Sequence, residues 1–229
     1  MKLFWKMTLN LHYWPIRGLN EPIVTLAEHM GLQYKLHSVE SREIWMKQKD
    51  ELVKKGFEFP NLPYTERSGK YVSESVAIMA QLVIDANRHE FLPTQKHMTE
   101  FLELVGVTGD INQSVTGPAY GSKTLDDLKD LIKSNMARHK IKLQMLADRL
   151  ANHPWLMGDQ LTILDFRFAE TVERMKVMNK ELGFDDFGID FSGLDAYLKR
   201  FLELSGVKEY RGSSRFRARP FNNTQAIWK

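Results

Sequence analysis

Apolar residues change their period once along this chain. Up to Ile84, short alternating runs trade places with helical ones, and beyond about Gln95 only helical spacing remains. Met7 to His12 alternate weakly and read as a first strand. The strand ends in Tyr13-Trp14-Pro15-Ile16-Arg17-Gly18, a loop marked by proline and glycine. From Asn20 to Met30, Pro22 falls in a first helical turn, Ile23, Leu26, Ala27 and Met30 keep helical spacing, and Gly31 stops the run. Gln33 to Val39 read as a second strand. So few residues separate these pieces that the two strands must pair in parallel through a right-handed crossover. A helix over about Arg42 to Lys55 closes at Gly56. Pro60 and Pro63 lack an N–H and cannot sit inside a ladder, so Asn61 and Leu62 belong to a shaped loop, with Leu62-Pro63 a candidate cis bond. A strand from Pro63, a turn at Arg67-Ser68-Gly69-Lys70 and a return over Tyr71-Val72-Ser73 lead into a helix whose first positions are Glu74 and Ser75.

This order, strand-helix-strand-helix-strand-strand-helix, matches a thioredoxin-like α/β layer in which Val76, Met79, Ala80, Leu82 and Val83 cover the sheet. Asn87 to Gln95 break the pattern with Pro93 and polar residues. The expected organisation is an α/β thioredoxin-like domain over residues 1–88 and an all-α helical domain over 96–229. The second domain should hold helices at about Lys96–Val115, Leu125–Leu150, Thr162–Asn179 and Gly193–Leu204. Thr162 and Asp165, behind Leu161, have the spacing of a capping box, a structural start signal.

Composition narrows the chemistry. With 43% apolar and 27% charged residues among 229, the chain is that of an ordinary globular protein. No apolar run is long enough to span a membrane and no leader pattern opens the chain, so a cytosolic location is expected. The absence of cysteine removes disulfides, zinc-thiolate sites and thiol nucleophiles; any sulfur chemistry must use the substrate's sulfur. The seven histidines show no metal-ligand pairing. A net charge of +3 is too small to indicate nucleic acid. Arg211, Arg215, Arg217 and Arg219 form one basic cluster, read as a solvated tail.

The stretch from Phe57 to Ser75 carries the clearest chemical signal. A loop residue before a cis-proline offers its N–H and C=O sideways to an extended peptide, and the following helix start, with the Ser75 hydroxyl, suits a carboxylate. A small anionic peptide fits such a corner; a hairpin plus capped helix with no ligand is the alternative. Tyr13, at the end of the first strand, lies where α/β layers place ligands, and its O–H is a candidate donor to a developing thiolate.

The segments LHYWPIRGL, FPNLPY, SESVAI, PWLMGDQLTILDF and SSRFRARP…AIW together resemble the cytosolic glutathione transferases, the mu class above all, from about Tyr13 to Trp228. The resemblance implies that Tyr13 stabilises the glutathione thiolate, which attacks small hydrophobic electrophiles. It places Trp14 and Leu19 along the tripeptide, with Arg42, Trp45 and Lys49 at the glycyl carboxylate. Asn61 and Leu62 would pair with the cysteinyl backbone, and Glu74 and Ser75 would meet the γ-glutamyl group. Asp110 would reach the γ-glutamyl amine held by the neighbouring subunit, Tyr120 would face the second substrate, and Phe59 would insert into the partner of a homodimer. Glutathione is then a co-substrate, and no metal or redox cofactor is implied.

The departures from the pattern are specific. The chain between the second strand and Trp45 is too short for the extended mu-class loop, so the substrate pocket should be more open. Glu74 stands where the mu class has glutamine, His12 replaces a small residue, and Ala80 replaces an arginine of the dimer axis. Additional residues between Trp45 and Gly56 make Gln48 and Lys47 rivals of Lys49. Met1 to Met7 precede the family's usual start. The competing reading is a non-catalytic relative that binds hydrophobic ligands or serves a structural role, against which the retained Tyr13 and tripeptide frame speak.

Overall fold

The computed structural model describes residues 8–229, so the expected start of the first strand at Met7 and the segment before it lie outside the described residues. The chain divides into two compact units. One runs to His89 and takes in Ser205–Asn223; the other comprises Glu90–Leu204 with Thr224–Lys229.

In the first unit the strands are β1 (Leu9–Tyr13), β2 (Tyr34–Ser38), β3 (Tyr64–Arg67) and β4 (Lys70–Ser73), ordered β2-β1-β3-β4. β1 pairs with β2 in parallel, Leu11 opposite Leu36, while β1 with β3 and β3 with β4 are antiparallel. Helices α1 (Glu21–His29) and α3 (Ser75–Asp85) bury Ile23, Val24, Leu26 and Ala27 and, from α3, Ile78, Met79, Leu82 and Val83. Helix α2 (Arg42–Lys54) buries only Trp45 and Leu52, one stripe of an otherwise charged helix. That stripe packs into a cluster with Tyr13, Ile16, Val39, Phe57, Leu62 and Tyr64. The Leu62-Pro63 bond is cis, and so is Arg219-Pro220.

The solvated tail expected at the C-terminus is not what the fold contains. A short helix α8 (Val207–Arg211) and the residues after it pack in the first unit. Tyr210 donates to Glu21 at 3.3 Å, and Arg215 pairs with Glu28. Arg217 donates to the Pro15 carbonyl at 2.6 Å, and the Gly18 N–H donates to the Phe221 carbonyl at 3.1 Å. The buried Arg17 guanidinium lies 4.4 Å from the Phe221 ring centroid, and Arg211 lies 4.0 Å from that of Phe216. The arginines are thus interleaved with aromatic rings that give them apolar faces to stack on, which a count of charges does not register. Residues 205–223 accordingly leave the helical domain to which 96–229 assigned them.

The second unit holds α4 (Met98–Gly121), α5 (Leu125–Asn152), α6 (Ile163–Leu182) and α7 (Ser192–Leu202). Helix α4 runs past its expected end at Val115, through Pro118. The proline removes one helical N–H, but Pro118 and Ala119 are buried there, and the Ala119 carbonyl accepts the Ile227 N–H at 2.8 Å. The extension puts Tyr120 on a helix. At the start of α6, Asp165 is fully buried and accepts the N–H groups of Thr162 at 2.8 Å and Leu156 at 2.9 Å. The Thr162 hydroxyl also donates to this carboxylate, at 3.2 Å. Burial pushes the Asp165 carboxyl up to about 6, against the pull of these donors.

Candidate functional site

Tyr13 ends β1 with its ring buried in the α2 cluster and its hydroxyl under the next loop, where it accepts the Leu19 N–H at 3.0 Å. The loop comes this close because residue 18 is glycine. Its φ is +44°, and a Cβ there would stand 2.5 Å from the Tyr13 oxygen. Accepting a backbone N–H polarises the hydroxyl as a donor. Gly18 is a residue of this site that the sequence reading used only as loop punctuation.

Around Tyr13 the fold gathers much of the predicted set. Trp14, Trp45 and Leu62 share the cluster that holds its ring. Trp45 packs as a core residue, 6.2 Å from the Tyr64 ring, and its indole N–H makes no hydrogen bond among the described residues. Arg42 and Lys49 flank it at helical spacing on α2, Arg42 exposed and Lys49 half-buried, and neither forms an ion pair among the described residues. Three donors of positive polarity therefore line one stripe of α2.

The corner after β4 is built by local ties. Ser73 donates its hydroxyl to the Phe59 carbonyl at 2.6 Å, fixing the loop from which Phe59 projects, 71% exposed. The Asn61 amide donates to Glu74 at 3.1 Å, and its oxygen accepts the Leu62 N–H at 2.9 Å. That N–H, expected to meet a peptide, is held here by its own neighbour. Glu74 has φ +68°, strained for a residue with a Cβ, and its side chain does not cap α3. Ser75 is buried, yet its hydroxyl makes no hydrogen bond among the described residues. The first N–H groups of α3 and a hydroxyl are thus left without a protein acceptor, an arrangement suited to an anion.

Next to Tyr13 in β1, His12 is stacked between His37 and Tyr64, with ring centroids 4.4 and 4.3 Å away. Burial, and then the neighbouring His37, lowers the His12 pKa to about 4, so the ring is neutral at neutral pH. It works as packing.

Asp110 and Tyr120 lie on α4, in the second unit. Asp110 is exposed and paired with Lys142 at 2.7 Å; that hydrogen bond holds its carboxyl below the usual range. Tyr120 is 41% exposed. Among the described residues no group of three or more His, Asp or Glu side chains is arranged to hold a metal ion.

Comparison with known proteins gives a consistent result. Residues 9–83 match the family model of the glutathione S-transferase N-terminal domain, and residues 142–200 that of the C-terminal domain. The class-mu 26 kDa glutathione S-transferase isozyme of Schistosoma japonicum is 32% identical over 222 residues, 95% of this chain and 94% of its own length. Glutathione S-transferase Mu 2 of Homo sapiens is 27% identical over 240 residues, 97% of this chain and 99% of its own. Among solved structures, the glutathione S-transferase Blo t 8 matches with a TM-score of 0.79 at 24% identity, over 95% of this chain and 98% of that one. The Pi-class enzyme of Onchocerca volvulus matches with a TM-score of 0.74 at 20% identity, over 96% and 100%. The chain belongs to the glutathione S-transferases, and among them it is like the mu class.

Proposed function

We propose that this glutathione transferase activates the thiol of bound glutathione with the Tyr13 hydroxyl and directs it at small hydrophobic electrophiles. The thiolate attacks the electrophilic carbon: a C–S bond forms, and either a halide leaves with the bonding pair or a conjugate acceptor takes a proton from water. Tyr13 donates to the sulfur throughout and so favours its charged form. The observation that carries this reading is the Tyr13 hydroxyl held at the end of β1 by the Leu19 N–H at 3.0 Å, with Trp14, Trp45 and Leu62 in the cluster around its ring.

The peptide is held by the ties already described. Ser75 and the open start of α3 take the γ-glutamyl carboxylate, and Glu74 takes the ammonium group beside it. Arg42, Lys49 and the Trp45 N–H face the glycyl carboxylate. The cysteinyl backbone pairs at Leu62, and Asn61 yields its hold on that N–H when the peptide arrives. The chain acts as a cytoplasmic homodimer in which Phe59 enters the partner and Asp110 approaches the partner's ligand; because Lys142 already neutralises Asp110, its loss should raise the glutathione KM only modestly. Among the described residues no helix is long and apolar enough to cross a membrane.

Tyr13→Phe is the direct test. Turnover with 1-chloro-2,4-dinitrobenzene should fall about 10- to 1000-fold while glutathione affinity stays nearly constant. The ultraviolet band of bound thiolate should also move to higher pH in the variant. Unchanged turnover and an unchanged thiolate titration would remove Tyr13 from the mechanism.

A further inference from the structure

The loop that lies on Tyr13 is itself held by a segment 202 positions further along the chain. Three of its backbone groups are tied to residues 217–221. The Pro15 carbonyl accepts the Arg217 guanidinium at 2.6 Å, the Arg17 N–H donates to the Pro220 carbonyl at 2.9 Å, and the Gly18 N–H donates to the Phe221 carbonyl at 3.1 Å. The Arg17 side chain closes the same junction. It is 2% exposed, donates to the Ala218 carbonyl at 3.5 Å, and lies 4.4 Å from the Phe221 ring centroid and 5.2 Å from that of Phe216. A planar guanidinium on aromatic faces is a directional contact, so it fixes the register of the segment as well as its proximity.

The segment is anchored in turn on α1 and β2. Tyr210 donates to Glu21 at 3.3 Å and meets the Phe216 ring edge-on at 5.7 Å, while Arg215 pairs with Glu28 and donates to the Tyr34 hydroxyl at 3.2 Å. Toward Tyr13 the loop has no slack. A Cβ at Gly18 would stand 2.5 Å from the Tyr13 oxygen, and the next N–H, that of Leu19, donates to this oxygen at 3.0 Å. A backbone bonded to the tail at residue 18 and to the phenol at residue 19 passes any displacement of the first contact to the second.

We propose that residues 217–221 are a positioning element of the catalytic site: with Arg17 and Phe221 as positioning residues, they seat the 15–19 loop on Tyr13, keep the Leu19 N–H on the phenolic oxygen, and so set the acidity of the glutathione thiol that this hydroxyl serves. The effect on the thiol rests on the reading of Tyr13 given above; the seating of the loop does not.

Hydrogen exchange decides the seating. In ligand-free Phe221→Leu the Gly18 and Leu19 amides should exchange at least about tenfold faster than in wild type while those of α6 keep their rates; unchanged rates overturn the proposal. Ultraviolet titration of bound glutathione reads the consequence. Phe221→Leu should raise the thiol midpoint by about 0.5 pH unit, so that turnover of 1-chloro-2,4-dinitrobenzene falls about threefold on the acid side of the profile and recovers on the alkaline side, with the glutathione Kd within about twofold of wild type. Turnover lost equally at every pH, or a weaker Kd with the midpoint unmoved, marks a merely structural role and overturns it. Arg217 is exposed, which keeps a second test clear of folding. Arg217→Met should move the midpoint in the same direction by less, and Arg217→Lys should return most of that shift. The double variant Tyr13→Phe with Phe221→Leu should titrate as Tyr13→Phe does, because both changes act through one hydroxyl. Shifts that add mean that the tail reaches the thiol by another route, and the proposal falls. If Tyr13→Phe alone leaves the midpoint unmoved, the catalytic reading fails, and the exchange rates still decide whether the tail seats the loop.

Discussion

Helices α3 and α6 both start behind a loop, and both starts bring polar groups under cover, but only one of them is finished from within. At α6 the Asp165 carboxylate turns back, accepts the N–H groups of Thr162 and Leu156 and a hydroxyl, and is sealed from solvent. At α3 the side chain of Glu74 is drawn away to Asn61 at 3.1 Å, its backbone sits at φ +68°, and the Ser75 hydroxyl makes no hydrogen bond among the described residues. A helix N-terminus is attractive to negative charge in either case. Where the chain supplies that charge, the helix start holds the fold together. Where it withholds the charge and tolerates backbone strain besides, the start is left for a ligand.

The contrast breaks most visibly at Asp165. Asp165→Ala should cost about 3 kcal/mol or more in urea denaturation, since a cap is lost and buried donors are stranded. Ser75→Ala should stay within about 0.5 kcal/mol of wild type in the same experiment, and equal losses would erase the distinction. A pH series sharpens it. The Asp165 carboxyl titrates near 6 in the fold against 3.8 as its ordinary value, so between these pH values the native state holds a proton that the unfolded chain has released. Stability from this group is therefore present below about pH 4 and is lost as pH rises through about 6. Relative to Asp165→Asn, the wild type should lose about 2 kcal/mol over that interval, read from thermal melts.

Smaller effects should appear at α3, and in binding rather than in folding. Ser75→Ala should weaken glutathione about tenfold by calorimetry, equivalent to about 1.4 kcal/mol, with kcat nearly retained. The least change comes from Glu74→Gly, which relieves the positive φ at the expense of the Asn61 bond. Its expected net gain is about 0.5 kcal/mol of stability, accompanied by weaker glutathione binding. The matching change at Thr162, where φ is −128°, should instead cost about 1 kcal/mol. A loss at both positions would mean that residue 74 carries no strain.

Much of this was legible in the order of residues alone, because it depends on local rules. Proline spacing marked the loop at Asn61 and Leu62, the change of hydrophobic period separated the α/β pattern from the helical one, and Tyr13 fell at a strand end by counting. The element order of the first unit follows from the same short-range signals. What tertiary structure alone decided depends on groups distant in sequence. Arg215 meets Glu28 and Phe221 lies against Arg17, so a segment that reads as a charged tail becomes part of the first unit. Asp110 finds Lys142 thirty-two positions away. Gly18 matters because of where the Tyr13 hydroxyl ends up. Arg174 is turned inward against Asn112 and Thr116 by the packing of α6 on α4. Helical spacing states which residues share a face; which face is buried, and whether a counter-charge waits there, is decided only when another helix comes to lie against it.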